Sequence, residues 1–252
     1  LEEVTASRSR LEGELAAARE IQMAMLPQGG EASYENEGVG LWAQVRPAKS
    51  VGGDLYYLNC IDRRLWLAVG DVSDKGVPAA LFMARAISLI QQQGHTPPHR
   101  AMAVLNDALE SGNDNCMFVT LFLGVLDLDS GLLEFASGGH TPPILLRSGR
   151  PTVMAQEDGP ALGLASGLEF PRNRVQLDAG DQPPALAHRR ALAPLLRGGD
   201  ALRVGDEDAV RPVGLCVAQQ RDQAPAVKGV RARVDAAQLE QGRHQVHVGG
   251  QL

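Results

Sequence analysis

The chain has 252 residues, a net charge of −6 and a pI near 5.5, so it carries no basic excess to neutralise nucleic-acid phosphates. Hydrophobic residues make up 44% of it, enough for a sizeable core. Cys60, Cys116 and Cys216 are too scattered for a disulfide framework or a zinc site, and no apolar run is long enough to cross a bilayer. A cytoplasmic protein without a signal peptide is therefore expected, and the start at Leu1 rather than Met leads us to expect further sequence upstream.

Residues 1–26 consist mostly of strong helix formers and read as one helix ended by Pro27. Leu11, Leu15, Ala18 and Met25 fall near one face, with Ile21 and Gln22 astride it. That seam serves either a helix packed on its own domain or a connector helix that forms a homodimer or carries a signal. Residues 28–50 read as a loop followed by a strand in VGLWAQVRPA. DLYYLNC and LWLAVGDVS read as two strands joined by the polar turn IDRR. Pro78 suits the first turn of a helix that runs to Gly94, and HRAMAVLNDALESG gives a second helix. CMFVTLFLGVLDLDSGLLEFASGG carries a hairpin around DLDSG. HTPPILLRSGRPTVMA adds a strand and turn, and ALGLASGLEFPRNRVQLDAGD two more short strands. Strands in pairs with helices between them predict an α+β fold with antiparallel sheets.

The character of the chain changes after Asp181. All ten aromatic residues lie at or before Phe170, and residues 182–252 contain no Phe, Trp, Tyr, Ile, Met, Ser, Thr or Asn. Residues 1–181 carry 14 basic against 23 acidic residues, whereas residues 182–252 carry 10 against 7. Such a segment cannot easily build a dense core. It reads as an atypical tail, disordered or the product of a shifted reading frame.

Two carboxylates stand out earlier. Asp54 and Asp71 each follow a glycine, Gly53 and Gly70, at an edge of an expected strand. Paired strand-edge carboxylates are hard oxygen ligands for Mg²⁺ or Mn²⁺, and neighbouring glycines let backbone approach an ion or phosphate. A single Gly-Asp is more often a plain turn, and spacing alone does not settle the chemistry.

AREIQMAMLP, RPAKSVGGDLYYL, LAVGDVSDKGVPAALFMA, MFVTLFLGVLDLDSGLLEFASGGHTPPILL and ALGL occur in this order. They resemble successive motifs of the PPM-type, protein phosphatase 2C-like serine/threonine phosphatases, in particular the bacterial SpoIIE/RsbU branch. The resemblance covers about residues 17–181. It implies an antiparallel β-sandwich flanked by helices, with two Mn²⁺ or Mg²⁺ ions at one end. Asp54 would hold one ion, Asp71 would bridge both, and the Val72 main-chain carbonyl would add a ligand. Water activated by the metals would attack phosphoserine or phosphothreonine on a regulatory protein of the anti-sigma-factor antagonist type, without a covalent enzyme intermediate. Gly53, Asp74 and His140 are weaker site candidates; Asp74 stands where members often carry Gly, and His140 reads as a structural turn residue.

The resemblance also implies later ligands, an Asp in a TDG motif and another in a DD-x-T motif. Gly180-Asp181 matches the turn that precedes the first, but neither motif follows. Asp200, Asp206, Asp208, Asp222 and Asp235 lie outside the family context. A permitted codon choice for His188-Arg189-Arg190, CAC-CGA-CGG, contains ACC-GAC-GG, which encodes Thr-Asp-Gly one base later. The expected organisation is a connector helix at 1–26, a truncated phosphatase domain at 28–181 and the tail at 182–252. One metal site is expected to be weakened and activity impaired. The alternative is a pseudophosphatase that binds a phosphoprotein or dimerises without turnover.

Overall fold

Antiparallel hairpins and two proline-started helices build the architecture. A computed structural model of the chain describes residues 2–36, 39–45, 50–147, 150–178, 182–185 and 214–219. Helix α1 spans Glu2–Met25. It stays exposed at Val4, Leu11 and Ile21, and its burial is greatest toward the helix end, at Gln22, Met23 and the following Leu26. Of the apolar seam expected from Leu11 to Met25, Leu15 and Ala18 are half-buried in line with the buried Gln22, while Leu11, Ile21 and Met25 stay exposed.

Strands β1 (Glu31–Asn36) and β2 (Val39–Gln44) form a hairpin in the register Glu31 to Gln44. β1 falls inside the expected loop, because EASYEN is mostly polar and gains its strand from pairing with β2. Strands β3 (Leu55–Ile61) and β4 (Arg64–Val72) are joined at Asp62 and Arg63, whose φ angles are 50° and 58°. Positive φ at both turn residues gives the backbone twist that a two-residue hairpin needs. β4 is buried along almost its whole length, because it lies inside a five-stranded sheet.

Helix α2 (Val77–Gln91) starts after Gly76, at φ 78°, with Pro78 in its first turn. Helix α3 (Pro98–Glu110) starts the same way at Pro98. Both pack on the sheet, α2 over β3 and β4, α3 over strands β5 (Val119–Asp127) and β6 (Leu132–Gly138). The turn between β5 and β6 closes on Asp127, whose carboxylate accepts the Asp129 and Ser130 amides at 3.1 and 2.8 Å. Strands β7 (Ile144–Arg147) and β8 (Arg150–Val153) follow as a hairpin, and β9 (Asn173–Gln176) pairs with β6.

The second strand expected between Ala161 and Asp181 is absent among the described residues. Leu162 makes a single bridge to Val119. Gly163 and Gly167 then take φ angles of 89° and 70°, which no regular strand accommodates. Side chains replace the ladder. The fully buried Asn106 accepts from the Gly163 amide at 3.0 Å and donates to the Ala165 carbonyl at 2.8 Å. Asn113 donates to the Gly163 carbonyl at 2.9 Å, and Asp107 accepts from the Gly167 amide at 2.8 Å.

Within 182–252 the described residues are two strands, β10 (Gln182–Ala185) against β7 and β11 (Gly214–Gln219) against β2. Disorder or a shifted frame in the rest of that segment lies outside the described residues. The sheets run β1-β2-β11, β10-β7-β8 and β3-β4-β5-β6-β9, all antiparallel. One core joins them: Ala43 and Leu145 of the smaller sheets share a cluster with Leu67, Phe122 and Phe135 of the large one and Met83 and Leu105 of the helices.

At the sheet edge, Glu134 of β6 is ion-paired to Arg172 and Arg174. Burial raises the Glu134 pKa, but the hydrogen bonds and charges of the two arginines outweigh it and hold it below its ordinary 4.5. A depressed folded-state pKa gives stability that is present above the unfolded value and lost as pH falls through the folded one. Glu134→Gln is therefore expected to flatten the fall in melting temperature between about pH 5 and about pH 3, while wild type loses stability there. Parallel acid limbs for the two proteins would count against this ion-pair cluster.

Candidate metal centre

The site forms where β3 begins and β4 ends. Leu55 pairs with Gly70, and the Val72 amide donates to the Gly53 carbonyl at 3.3 Å, so the ladder continues one step beyond the strand in the same register. That register sets Asp54 opposite Asp71. Because Gly53 and Val72 share the hydrogen bond, Asp54 and Asp71 form the non-hydrogen-bonded pair between rungs. Such pairs bring their Cα atoms to about 4.5 Å and direct both side chains to one face. Both residues are half-buried.

The two glycines are there for close approach and not for turns. Neither Gly53 nor Gly70 has a left-handed φ. A Cβ on Gly53 would lie 2.9 Å from the Val72 carbonyl oxygen and 2.9 Å from the Val72 Cβ. A Cβ on Gly70 would lie 2.8 Å from the Thr120 carbonyl oxygen. Glycine thus lets β3 and β5 close on β4 on either side of the acids, and it leaves the Val72 carbonyl beside the start of β3.

Asp71 is also held from β5. Thr120 stands opposite it in register, and its hydroxyl donates to the Asp71 main-chain carbonyl at 3.3 Å. The same hydroxyl lies 3.1 Å from Nδ1 of His140, which is buried. The Ser137 hydroxyl and the Gln156 amide reach the His140 carbonyl, each at 3.4 Å. Thr120 thus links His140 to the Asp71 backbone. Asp74 takes φ 74° and accepts the Lys75 amide on its own side chain at 2.8 Å, in an exposed turn before α2. A residue with positive φ there explains why glycine suits this position in the family that the motifs resemble.

Thr120 and Gln22 carry no sequence signal for a site. Thr120 sits in an ordinary strand pattern, and Gln22 reads as one polar residue in a helix. Its carboxamide holds Gly52, donating to the Gly52 carbonyl at 2.6 Å and accepting the Gly52 amide at 3.1 Å.

Two carboxylates and a main-chain carbonyl, all oxygen, suit a hard divalent cation. Among the described residues no group of three or more His, Cys, Asp and Glu side chains could hold a metal ion. No helix of these residues is long and apolar enough to cross a membrane.

Residues 61–182 match the family model of Stage II sporulation protein E (SpoIIE). Protein IcfG of Synechocystis is 31% identical over 199 residues, 67% of this chain and 31% of its own length. Phosphoserine phosphatase RsbU of Bacillus subtilis is 27% identical over 178 residues, 69% of this chain and 52% of its own. The chain thus spans about a third and about half of these two curated relatives. The SiaA-PP2C domain of Pseudomonas aeruginosa superposes with a TM-score of 0.64 at 18% identity, over 86% of this chain and 99% of that domain. At that identity the likeness concerns the fold.

Proposed function

We propose that this chain, which belongs to the SpoIIE/RsbU branch of the PPM-type phosphatases, is a metal-dependent protein serine/threonine phosphatase of impaired activity. Its substrate class is phosphoserine or phosphothreonine on a regulatory protein of the partner-switching, anti-sigma-factor antagonist type. The close cross-strand pair Asp54 and Asp71 carries the reading. Like charges directly opposite each other in a sheet repel, and a divalent cation between them offsets that repulsion.

Asp54, Asp71 and the Val72 carbonyl would hold Mn²⁺ or Mg²⁺. When bound, such an ion polarises a phosphoryl oxygen and acidifies water for attack. The rest is positioning by the chain. Gly53 keeps the Val72 carbonyl open to the site, Thr120 holds the Asp71 backbone, and the exposed turn at Asp74 leaves room for a phosphorylated segment beside α2.

The missing TDG and DD-x-T motifs after Asp181 support impaired turnover. The same observation favours a second reading, a pseudophosphatase that binds a phosphoprotein or forms a homodimer through residues 1–26, where Leu11 and Ile21 are exposed. Hydrolysis of p-nitrophenyl phosphate and of a serine-phosphorylated antagonist protein, with and without Mn²⁺, separates the two. Slow Mn²⁺-dependent release of phosphate is expected. No release, with the phosphoprotein still bound, would replace the enzyme with the binding module.

A further inference from the structure

The end of α1 is fastened to the beginning of β3 at two points. The Gln22 carboxamide holds both the carbonyl and the amide of Gly52. Five residues later the Pro27 carbonyl accepts the Tyr56 hydroxyl at 2.6 Å. Tyr56 is fully buried, and Gln22 is one of the few buried polar side chains among the described residues. Gln22 presents a donor and an acceptor side by side, so it pairs with Gly52 as a neighbouring strand would. Met, Leu or Ala at this position would fill space but leave both Gly52 groups to find other partners.

Gly52 lies two residues before Asp54. Gly53, between them, accepts the Val72 amide and lies so near it that a Cβ there would meet the Val72 carbonyl. Gln22 therefore braces the backbone just before Asp54, where the start of β3 meets the end of β4. We propose that Gln22 is a positioning residue for the metal pair: by clamping Gly52 it fixes Asp54 against Asp71 and the Val72 carbonyl, and so sets the affinity for the divalent cation. This role rests on the metal reading given above. Its physical basis is that a carboxylate pair binds a small hard cation well only when the oxygens are held in place beforehand, because the ion tolerates little variation in distance.

The test compares the full chain with Gln22→Met, which keeps the length of the side chain and loses both hydrogen bonds, and with Asp54→Asn. Mn²⁺ affinity is measured by calorimetry, and backbone amide exchange of residues 50–56 is followed without metal. Wild type is expected to bind Mn²⁺ and Asp54→Asn to lose it. Gln22→Met is expected to bind about tenfold more weakly or worse, the range found when partners behind metal ligands are removed. It should also exchange the Gly52 amide faster while core amides such as those of β5 stay protected. Gln22→Glu, which keeps the acceptor and loses the donor, should fall between the two and serves if Gln22→Met does not fold. A folded Gln22→Met that binds Mn²⁺ as tightly as wild type, while Asp54→Asn does not bind, overturns the positioning role alone. If Asp54→Asn binds as wild type does, or wild type binds no Mn²⁺, the metal reading itself falls and this role falls with it.

Discussion

Asp71→Asn is expected to lower the Mn²⁺-dependent phosphatase rate of this chain by at least about a hundredfold, since a metal ion contributes several kcal/mol of transition-state stabilisation and each 1.36 kcal/mol is tenfold. The substitution is well matched in shape. One structural tie to Asp71 runs from the Thr120 hydroxyl to the main-chain carbonyl, which asparagine keeps. The half-buried cross-strand position also keeps its size. What changes is one negative charge in the pair with Asp54, so lost turnover in a folded protein reports on cation binding. The rate is to be read as a function of Mn²⁺ concentration. A variant within threefold of wild type at every concentration would remove Asp71 from the chemistry.

Phe122→Ala is expected to destabilise the domain by about 3–5 kcal/mol, the usual cost of emptying a buried phenylalanine site. Phe122 is fully buried in β5 at the centre of the five-stranded sheet. Its ring stacks on Phe135 of β6 with centroids 5.0 Å apart and planes at 26°. Only ten aromatic residues serve 252 positions, so this pair supplies much of the wide apolar surface of the core. β5 also carries Thr120, two residues before Phe122, which links the core to the site. Urea unfolding followed by tryptophan fluorescence measures the loss. A change below about 1 kcal/mol would mean that the core collapses around the gap and that the stack matters little.

Strong local signals in the sequence account for most of the fold. Pro78 and Pro98 announce the starts of α2 and α3. The polar turns at Asp62-Arg63 and at Asp127 separate apolar runs that can only pair as hairpins. Where local pattern and tertiary contact disagree, contact decides. EASYEN lacks a strand's composition and becomes β1 because β2 offers it an edge. ALGLASGL has the spaced leucines of a strand, but two left-handed glycines and the side-chain amides of the buried Asn106 and the half-buried Asn113 fold it as a loop. The leucines of α1 do not show where it is fastened, because the buried contact is made by Gln22 with a backbone thirty residues away. GLCVAQ pairs as β11 inside a segment whose composition hides it.

The site was legible to the same degree. Glycine followed by aspartate, twice, marks the edges of two expected strands, and the structure puts both at the start of β3 and the end of β4. The register that brings Asp54 and Asp71 together could not be read without the hairpin. Nor could the steric reason for Gly53 and Gly70, which lies in the closeness of Val72 and Thr120.

Crystals soaked in Mn²⁺ and measured at the manganese absorption edge test the central claim most directly. We expect an anomalous peak between the carboxylates of Asp54 and Asp71, within bonding distance of the Val72 carbonyl oxygen. Density for both side chains with no peak between them, or with the two carboxylates turned to different faces of the sheet, would contradict it.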